Sequence, residues 1–100
     1  MRIAVIGSGY VGLVSAACFA ELGHDVVSVD NDSARIGSLR EGHVPIHEQF
    51  LSELLNRHRG NRLSFSTSVR DAVNHSEAVF ITVGTPQSET GEADLSLSRR

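Results

Sequence analysis

The sequence holds 100 residues, 40% of them hydrophobic, enough for one small domain with one core and short for an enzyme that must hold both a cofactor and a substrate. Nine basic residues against twelve acidic ones give a net charge of −3, which leaves no basic footprint for nucleic acid or for an anionic membrane surface. Every basic residue is Arg, so a Walker-type phosphate loop and lysine Schiff-base chemistry are excluded within this chain.

Arg2 to Ile6 is a short β-branched run bounded by glycine and predicts a buried strand. Gly7, Ser8 and Gly9 interrupt the apolar run too soon for a signal-peptide core or a membrane span, and Met1 is read as the start of a soluble protein. From Tyr10 to Leu22 the chain is apolar almost all round and stops at Gly23, the residue type that closes helices in a left-handed conformation. Gly12, Ala16 and Ala20 fall at i, i+4 and i+8, a small-residue ridge that lets a helix backbone sit close on a sheet. Asp25 to Asp30 predicts the second strand. Asp32 then caps a helix from about Ser33 to Glu41, closed by Gly42.

Pro45 bars helix, after which the spacing of Phe50, Leu51, Leu54 and Leu55 predicts an amphipathic helix. Leu63 to Ser66 predicts the third strand, Thr67 the cap of a helix through about Asn74, and Ala78 to Val83 the fourth strand. The segment from Gly84 to Asp94 is a polar loop, and the terminal DLSLSRR reads as a helix start. The order β-α-β-α-α-β-α-β with continuous apolar strands predicts an α/β, Rossmann-like, doubly wound parallel sheet, truncated, with strand order 3-2-1-4.

The glycines carry the chemistry. Gly7, Gly9 and Gly12 follow a predicted strand, open a predicted helix, and precede by about 20 residues an acid at the end of the next strand, the context that gives G-x-G-x-x-G its meaning. Gly7 permits the tight turn, Gly9 removes a side chain that would collide with a pyrophosphate, and Gly12 allows close helix–strand packing. First-turn N–H groups around Tyr10 and Val11, together with the helix dipole, then face the phosphates. Asp30 is placed to accept hydrogen bonds from adenosine ribose hydroxyls and to repel a 2′-phosphate, which favours NAD over NADP. Arg35 can serve a 2′-phosphate or form a surface ion pair with Asp32 or Glu41.

With those residues in place, GSGYVGLVSAACFAELGHDVVSVDND, GHVPIHEQFL and VFITVGTP…GEADLS together resemble the amino-terminal NAD-binding domain of the UDP-glucose 6-dehydrogenase family, which includes GDP-mannose dehydrogenases. The resemblance runs over essentially the whole chain, and its specific parts are the Val-Pro-Ile-x-Glu element and the Val83-Gly84-Thr85-Pro86 turn. It implies oxidation of the C6 alcohol of a nucleotide sugar such as UDP-glucose to a carboxylate, with two NAD reduced. It places the pyrophosphate on the backbone at Tyr10 and Val11, the ribose on Asp30 with Arg35 as basic partner, and a cofactor contact on Thr85. Where the family commonly has Tyr-Glu-Pro-Gly-Leu this chain has His47-Glu48-Gln49-Phe50-Leu51, so Glu48 and Leu51 match while the turn residues depart. The family's catalytic cysteine, with its Lys, Asn and Asp partners, lies downstream of this chain. No catalytic residue is therefore expected here, and residues 1–100 are read as an NAD-binding domain whose substrate and catalytic domains are absent.

Other residues offer less. Cys18 is read as a buried small apolar residue within the first helix, with no base or cation to activate it. As the single cysteine it cannot form an internal disulfide, which fits a reducing, cytoplasmic compartment. His43 and His47 are four apart, but Pro45 forbids the helix that would align them on a metal, and no metal site is expected. His24, His58 and His75 sit at predicted helix ends, complementing the dipole. Ser64, Ser66, Thr67 and Ser68 are read first as capping residues and second as neighbours of the adenine. Two other readings stay open: an NAD-sensing regulatory module of the potassium-transporter type, and the cofactor domain of a hydroxyacyl dehydrogenase. Partners are NAD and, in a longer enzyme, the nucleotide sugar. An unpaired fourth-strand edge allows homo-oligomers.

Overall fold

A computed structural model describes residues 1–44 and 49–82 of the chain. Pro45, His47 and Glu48, the Val83-Gly84-Thr85-Pro86 turn with its predicted cofactor contact at Thr85, and the terminal helix start lie outside the described residues. The elements run β1 (Arg2–Ile6), α1 (Tyr10–Glu21), β2 (Asp25–Val29), α2 (Ser33–Arg40), α3 (Gln49–His58), β3 (Leu63–Ser66), α4 (Val69–Asn74) and β4 (Ala78–Ile81). All three strand pairings are parallel, and the sheet order is β3-β2-β1-β4, as the crossover rule requires.

Strand alternation sorts the apolar side chains onto two faces. Ile3 and Val5 of β1, Val26 of β2, and Leu63 and Phe65 of β3 pack with Leu13, Ala16, Ala17 and Ala20 of α1, Ile36 and Leu39 of α2, and Leu51, Leu54 and Leu55 of α3. Ala4 and Val29 turn to the other face and meet Ala72 of α4, with Ile6 and Val27 beside them. The chain therefore crosses from one face of the sheet to the other between β3 and β4. That reversal leaves a crevice at the carboxyl end of β1, where doubly wound sheets take their ligands.

The helix ends follow local chemistry. Gly23 and Gly42 adopt φ of +101° and +91° just past α1 and α2, and Asp32 Oδ1 accepts the Arg35 backbone N–H at 3.1 Å to cap α2. Ser68, rather than Thr67, caps α4: its hydroxyl accepts the Asp71 N–H at 3.2 Å. The physical reason is the spacing Ser68-x-x-Asp71, which sets an acid at the third helical position, whereas a cap at Thr67 would set Arg70 at that position.

Two other expectations are corrected. Cys18 is exposed. Gly12, Leu13, Ala16, Ala17 and Ala20 form the buried stripe of α1, and Cys18, seven residues from the exposed Val11, lies on the opposite side. Phe50 is 68% exposed although its spacing fits the apolar face of α3; Leu51, Leu54 and Leu55 occupy the core, and Phe50 instead borders an open apolar groove with Cys18, Leu22 and Leu54. The histidines behave more nearly as read. His75 Nδ1 lies 2.8 Å from the Asp71 carbonyl at the end of α4, while His58 Nε2 reaches Glu21 Oε1 at 2.7 Å.

Candidate functional site

The three motif glycines stand at the carboxyl end of β1 for three different reasons. Gly7 has φ +109°, a backbone region that side chains disfavour, and its N–H donates to the Val29 carbonyl at 2.6 Å, so the turn stays stitched to β2. Gly12 is forced by packing: a Cβ there would fall onto the Gly7 carbonyl oxygen, far inside contact distance, and 2.7 Å from Thr82 Oγ1. Gly9 differs from both. Its φ of −75° suits any residue, and a Cβ built on it meets no atom within 4 Å. Nothing described in the protein requires glycine there, and the open space is where a ligand would approach the backbone.

Gly9 is also the N-cap of α1, and it has no side chain to cap the helix. The intrahelical ladder begins with Leu13 N–H to the Gly9 carbonyl at 2.9 Å. The helix start, with Tyr10 and Val11 in its first turn and both residues exposed, thus points its positive end out of the crevice. An anion is the ligand chemistry that such an end receives.

Asp30 follows β2 directly, half-buried at the lip of the same crevice. Its Oδ2 accepts both the Ser8 N–H at 2.9 Å and the Ser8 hydroxyl at 2.7 Å, and its Oδ1 accepts the Asp32 N–H at 3.0 Å. Burial alone would raise the carboxyl pKa. The Ser8 hydroxyl, the Asp32 and Ser8 amides and the nearby Arg35 charge outweigh it, and the group is held below its ordinary value as a carboxylate. Arg35 is exposed and pairs with no carboxylate among the described residues, so of its two readings the ion pair with Asp32 or Glu41 does not form; its charge acts on Asp30 instead.

Of the predicted residues, Gly7 and Asp30 border the same space, while Gly9, Tyr10 and Val11 carry the chain from the turn into α1, Gly12 packs on the Gly7 carbonyl and Arg35 lies near enough to Asp30 for its charge to act on it. A cavity of about 150 Å³ opens there between Ile6, Gly7, Val29, Asp30, Asn31 and Val69. Ser66 and Ser68 are occupied locally, since the Ser66 hydroxyl accepts the Ser68 N–H at 3.0 Å while Ser68 caps α4. A larger cavity, about 260 Å³, lies at the opposite end of the strands beside Arg2, Asp25, Asn61, Arg62 and His75, away from the glycine turn.

Two participants escaped the reading of the sequence. Ser8 is 1% exposed and turned inward, and the available signal was a hydroxyl residue between two motif glycines with an acid at the end of the next strand. Thr82, just past β4, donates its hydroxyl to the Ile6 carbonyl at 2.9 Å and to the Gly7 carbonyl at 3.3 Å, clamping the turn from below. Inside an apolar run that reads as strand, Thr82 carried no signal of its own.

A parallel sheet of this order with a glycine turn at its reversal point defines the doubly wound, dinucleotide-binding class of domain. Within that class, the chain belongs to the UDP-glucose/GDP-mannose dehydrogenase family, whose NAD-binding domain matches residues 1–100. A UDP-glucose 6-dehydrogenase of Bacillus subtilis is 50% identical over 95 residues, which cover 94% of this chain and 21% of that protein. The crystal structure of a GDP-mannose dehydrogenase from Pseudomonas aeruginosa superposes with a TM-score of 0.84 at 43% identity, covering 91% of this chain and 21% of the other. A UDP-glucose dehydrogenase from Pyrobaculum islandicum gives the same TM-score at 45% identity, covering 94% and 22%. The chain spans about a fifth of the length of these relatives.

Proposed function

We propose that this chain holds NAD for a nucleotide-sugar dehydrogenase that oxidises the C6 alcohol of UDP-glucose to a carboxylate, and that it does so through the glycine turn. NAD, the cofactor of this domain family, would supply the hydride acceptor, with two reduced per sugar as the family resemblance implies. The observation that carries the reading is Gly9, a glycine without an internal reason to be one, placed at the uncapped start of α1. In this reading the pyrophosphate rests against the backbone at Gly9, Tyr10 and Val11. Asp30 accepts a ribose hydroxyl, Gly7 and Gly12 keep turn and helix in register, Arg35 stands near Asp30, and the family resemblance adds Thr85 as a further cofactor contact.

The negative charge of Asp30 disfavours the 2′-phosphate of NADP, and Arg35 softens that repulsion without reversing it, because Asp32 stands beside it. The one hydroxyl that meets a carboxylate in the described crevice, Ser8 on Asp30, is buried and turned inward, so the step on the sugar is assigned to residues outside this chain. Residues 1–100 are read as the cofactor domain of a cytoplasmic enzyme, and the edge of β4, unpaired among the described residues, allows homo-oligomers. Among the described residues no helix is long and apolar enough to cross a membrane.

Calorimetric titration tests the reading. The chain is expected to bind NAD more tightly than NADP, and Asp30→Ala to weaken NAD by roughly 1–3 kcal/mol through the lost hydrogen bond to a charged acceptor. UDP-glucose with NAD should give no turnover with this chain alone. Preference for NADP, or NAD affinity indifferent to Asp30→Ala, would refute the assignment.

A further inference from the structure

Ser8 lies between the two glycines of the turn with its side chain directed away from the space above Gly9 and into the protein. Its two donors both go to a single atom, Asp30 Oδ2, at 2.9 and 2.7 Å, and the Asp32 N–H takes one position on Oδ1 at 3.0 Å. A carboxylate offers about four lone-pair positions, so the protein occupies three of them. The remaining one is on Oδ1.

We propose that Ser8 is a positioning and specificity-determining residue, which fixes the Asp30 carboxylate so that one acceptor position, on Oδ1, is presented to a single ribose hydroxyl of the dinucleotide. The proposal rests on the reading of Asp30 as the ribose acceptor and adds to it a device and a stoichiometry. A carboxylate free to rotate would present several acceptor positions in changing directions. A carboxylate held from below by the turn that also carries the pyrophosphate site has its direction set relative to the phosphates. Ser8 thereby couples the two ends of the adenosine diphosphate half of the cofactor through one 2.7 Å hydrogen bond.

The same bond helps keep Asp30 ionised, since the Ser8 hydroxyl is foremost among the interactions that lower its pKa against burial. Of the elements around Asp30, α2 contributes Arg35 and its first residues follow Asp32, while the glycine turn, Ser66 of β3 and Val69 of α4 contribute no titratable side chain.

The test is a double-mutant cycle on the chain, with NAD binding measured for wild type, Ser8→Ala, Asp30→Asn and the double variant, and the Asp30 carboxyl titrated by NMR. Ser8→Ala is expected to weaken NAD by about three- to tenfold, less than the direct loss of a hydrogen bond to a charged group because Ser8 acts only through Asp30, and to raise the Asp30 pKa. In the Asp30→Asn background the same substitution should change NAD affinity by less than about twofold, because Ser8 acts through the carboxylate. A merely structural Ser8 would cost the same in both backgrounds and would leave the Asp30 titration where it was; either result overturns the proposal while leaving the ribose reading intact. Asp30→Asn binding NAD as well as wild type would instead remove the ribose reading, and the proposal with it.

Discussion

Replacing Gly12 by Ala gives the sharpest separation between a glycine the fold needs and one the ligand needs. The added Cβ would land on the Gly7 carbonyl oxygen, with the Gly7 carbonyl carbon 2.9 Å and Thr82 Oγ1 2.7 Å away. Thr82 could rotate aside, at the loss of its bonds to the Ile6 and Gly7 carbonyls. The Gly7 carbonyl cannot, because it belongs to a turn whose φ is already +109°. Overpacking against movable side chains costs about 1–3 kcal/mol, so a collision with fixed backbone puts Gly12→Ala at about 3 kcal/mol or more. For a domain of this size that is a fall in Tm of about 12–24 °C. Gly9→Ala meets nothing and keeps an allowed φ; the weaker N-cap and the reduced entropy of the unfolded chain oppose each other, leaving a change within about 0.5 kcal/mol. Thermal melts with and without NAD read both effects. Gly12→Ala should melt early, and Gly9→Ala should melt like wild type but lose the upward shift that NAD produces. Equal melting temperatures, or a Gly9→Ala variant that NAD still stabilises as it does wild type, would refute the division of labour.

Ser68→Ala should cost about 0.5–2 kcal/mol in urea unfolding and Thr67→Ala less than half as much, since only Ser68 caps α4; the reverse order would restore Thr67 as the cap. Cys18, exposed on α1, should react with a disulfide reagent in the native chain about as fast as in urea, and strong protection would return it to the core. Acid should destabilise the fold. Glu21 is held below its ordinary 4.5 chiefly by the His58 hydrogen bond, Glu77 below 4.5 chiefly by the Arg2 N–H, and Asp30 below 3.8 by donors that outweigh its burial. Depressed folded pKa values mean that these groups contribute fully above the ordinary values. The contribution is lost as pH falls from 4.5 and 3.8 through the lower folded ones. Urea midpoints that stay level or rise between pH 5 and 3 would contradict that sign.

How much of this was legible beforehand depends on whether a residue's role is local. β1 and its glycine turn, the helix closures at Gly23 and Gly42, the Asp32 cap and the 3-2-1-4 order all follow from short-range pattern plus crossover handedness, and the sequence shows them. Cys18 and Phe50 were misjudged because an apolar residue on a helix is buried only if something covers that face. What covers α1 and α3 depends on tertiary packing that periodicity does not encode. Thr67 and Ser68 are both capping residues, and only the charge three positions on tells them apart. Ser8 and Thr82 were missed for a different reason: each acts across the sheet, on a partner 22 and 75 or more residues away. The candidate cofactor site was thus visible in its glycines and its acid, while the hydroxyls that hold them in place were not.

The most direct test of the cofactor site is an amide chemical-shift map of the isotopically labelled chain titrated with NAD. At 100 residues the spectrum is assignable throughout, and the two ends of the sheet report separately. The largest shifts are expected at Gly9, Tyr10 and Val11, with a second group from Asp30 to Asp32. Shifts concentrated instead at the opposite end of the strands, around Arg2, Asn61, Arg62 and His75, or none at millimolar NAD, would contradict that expectation.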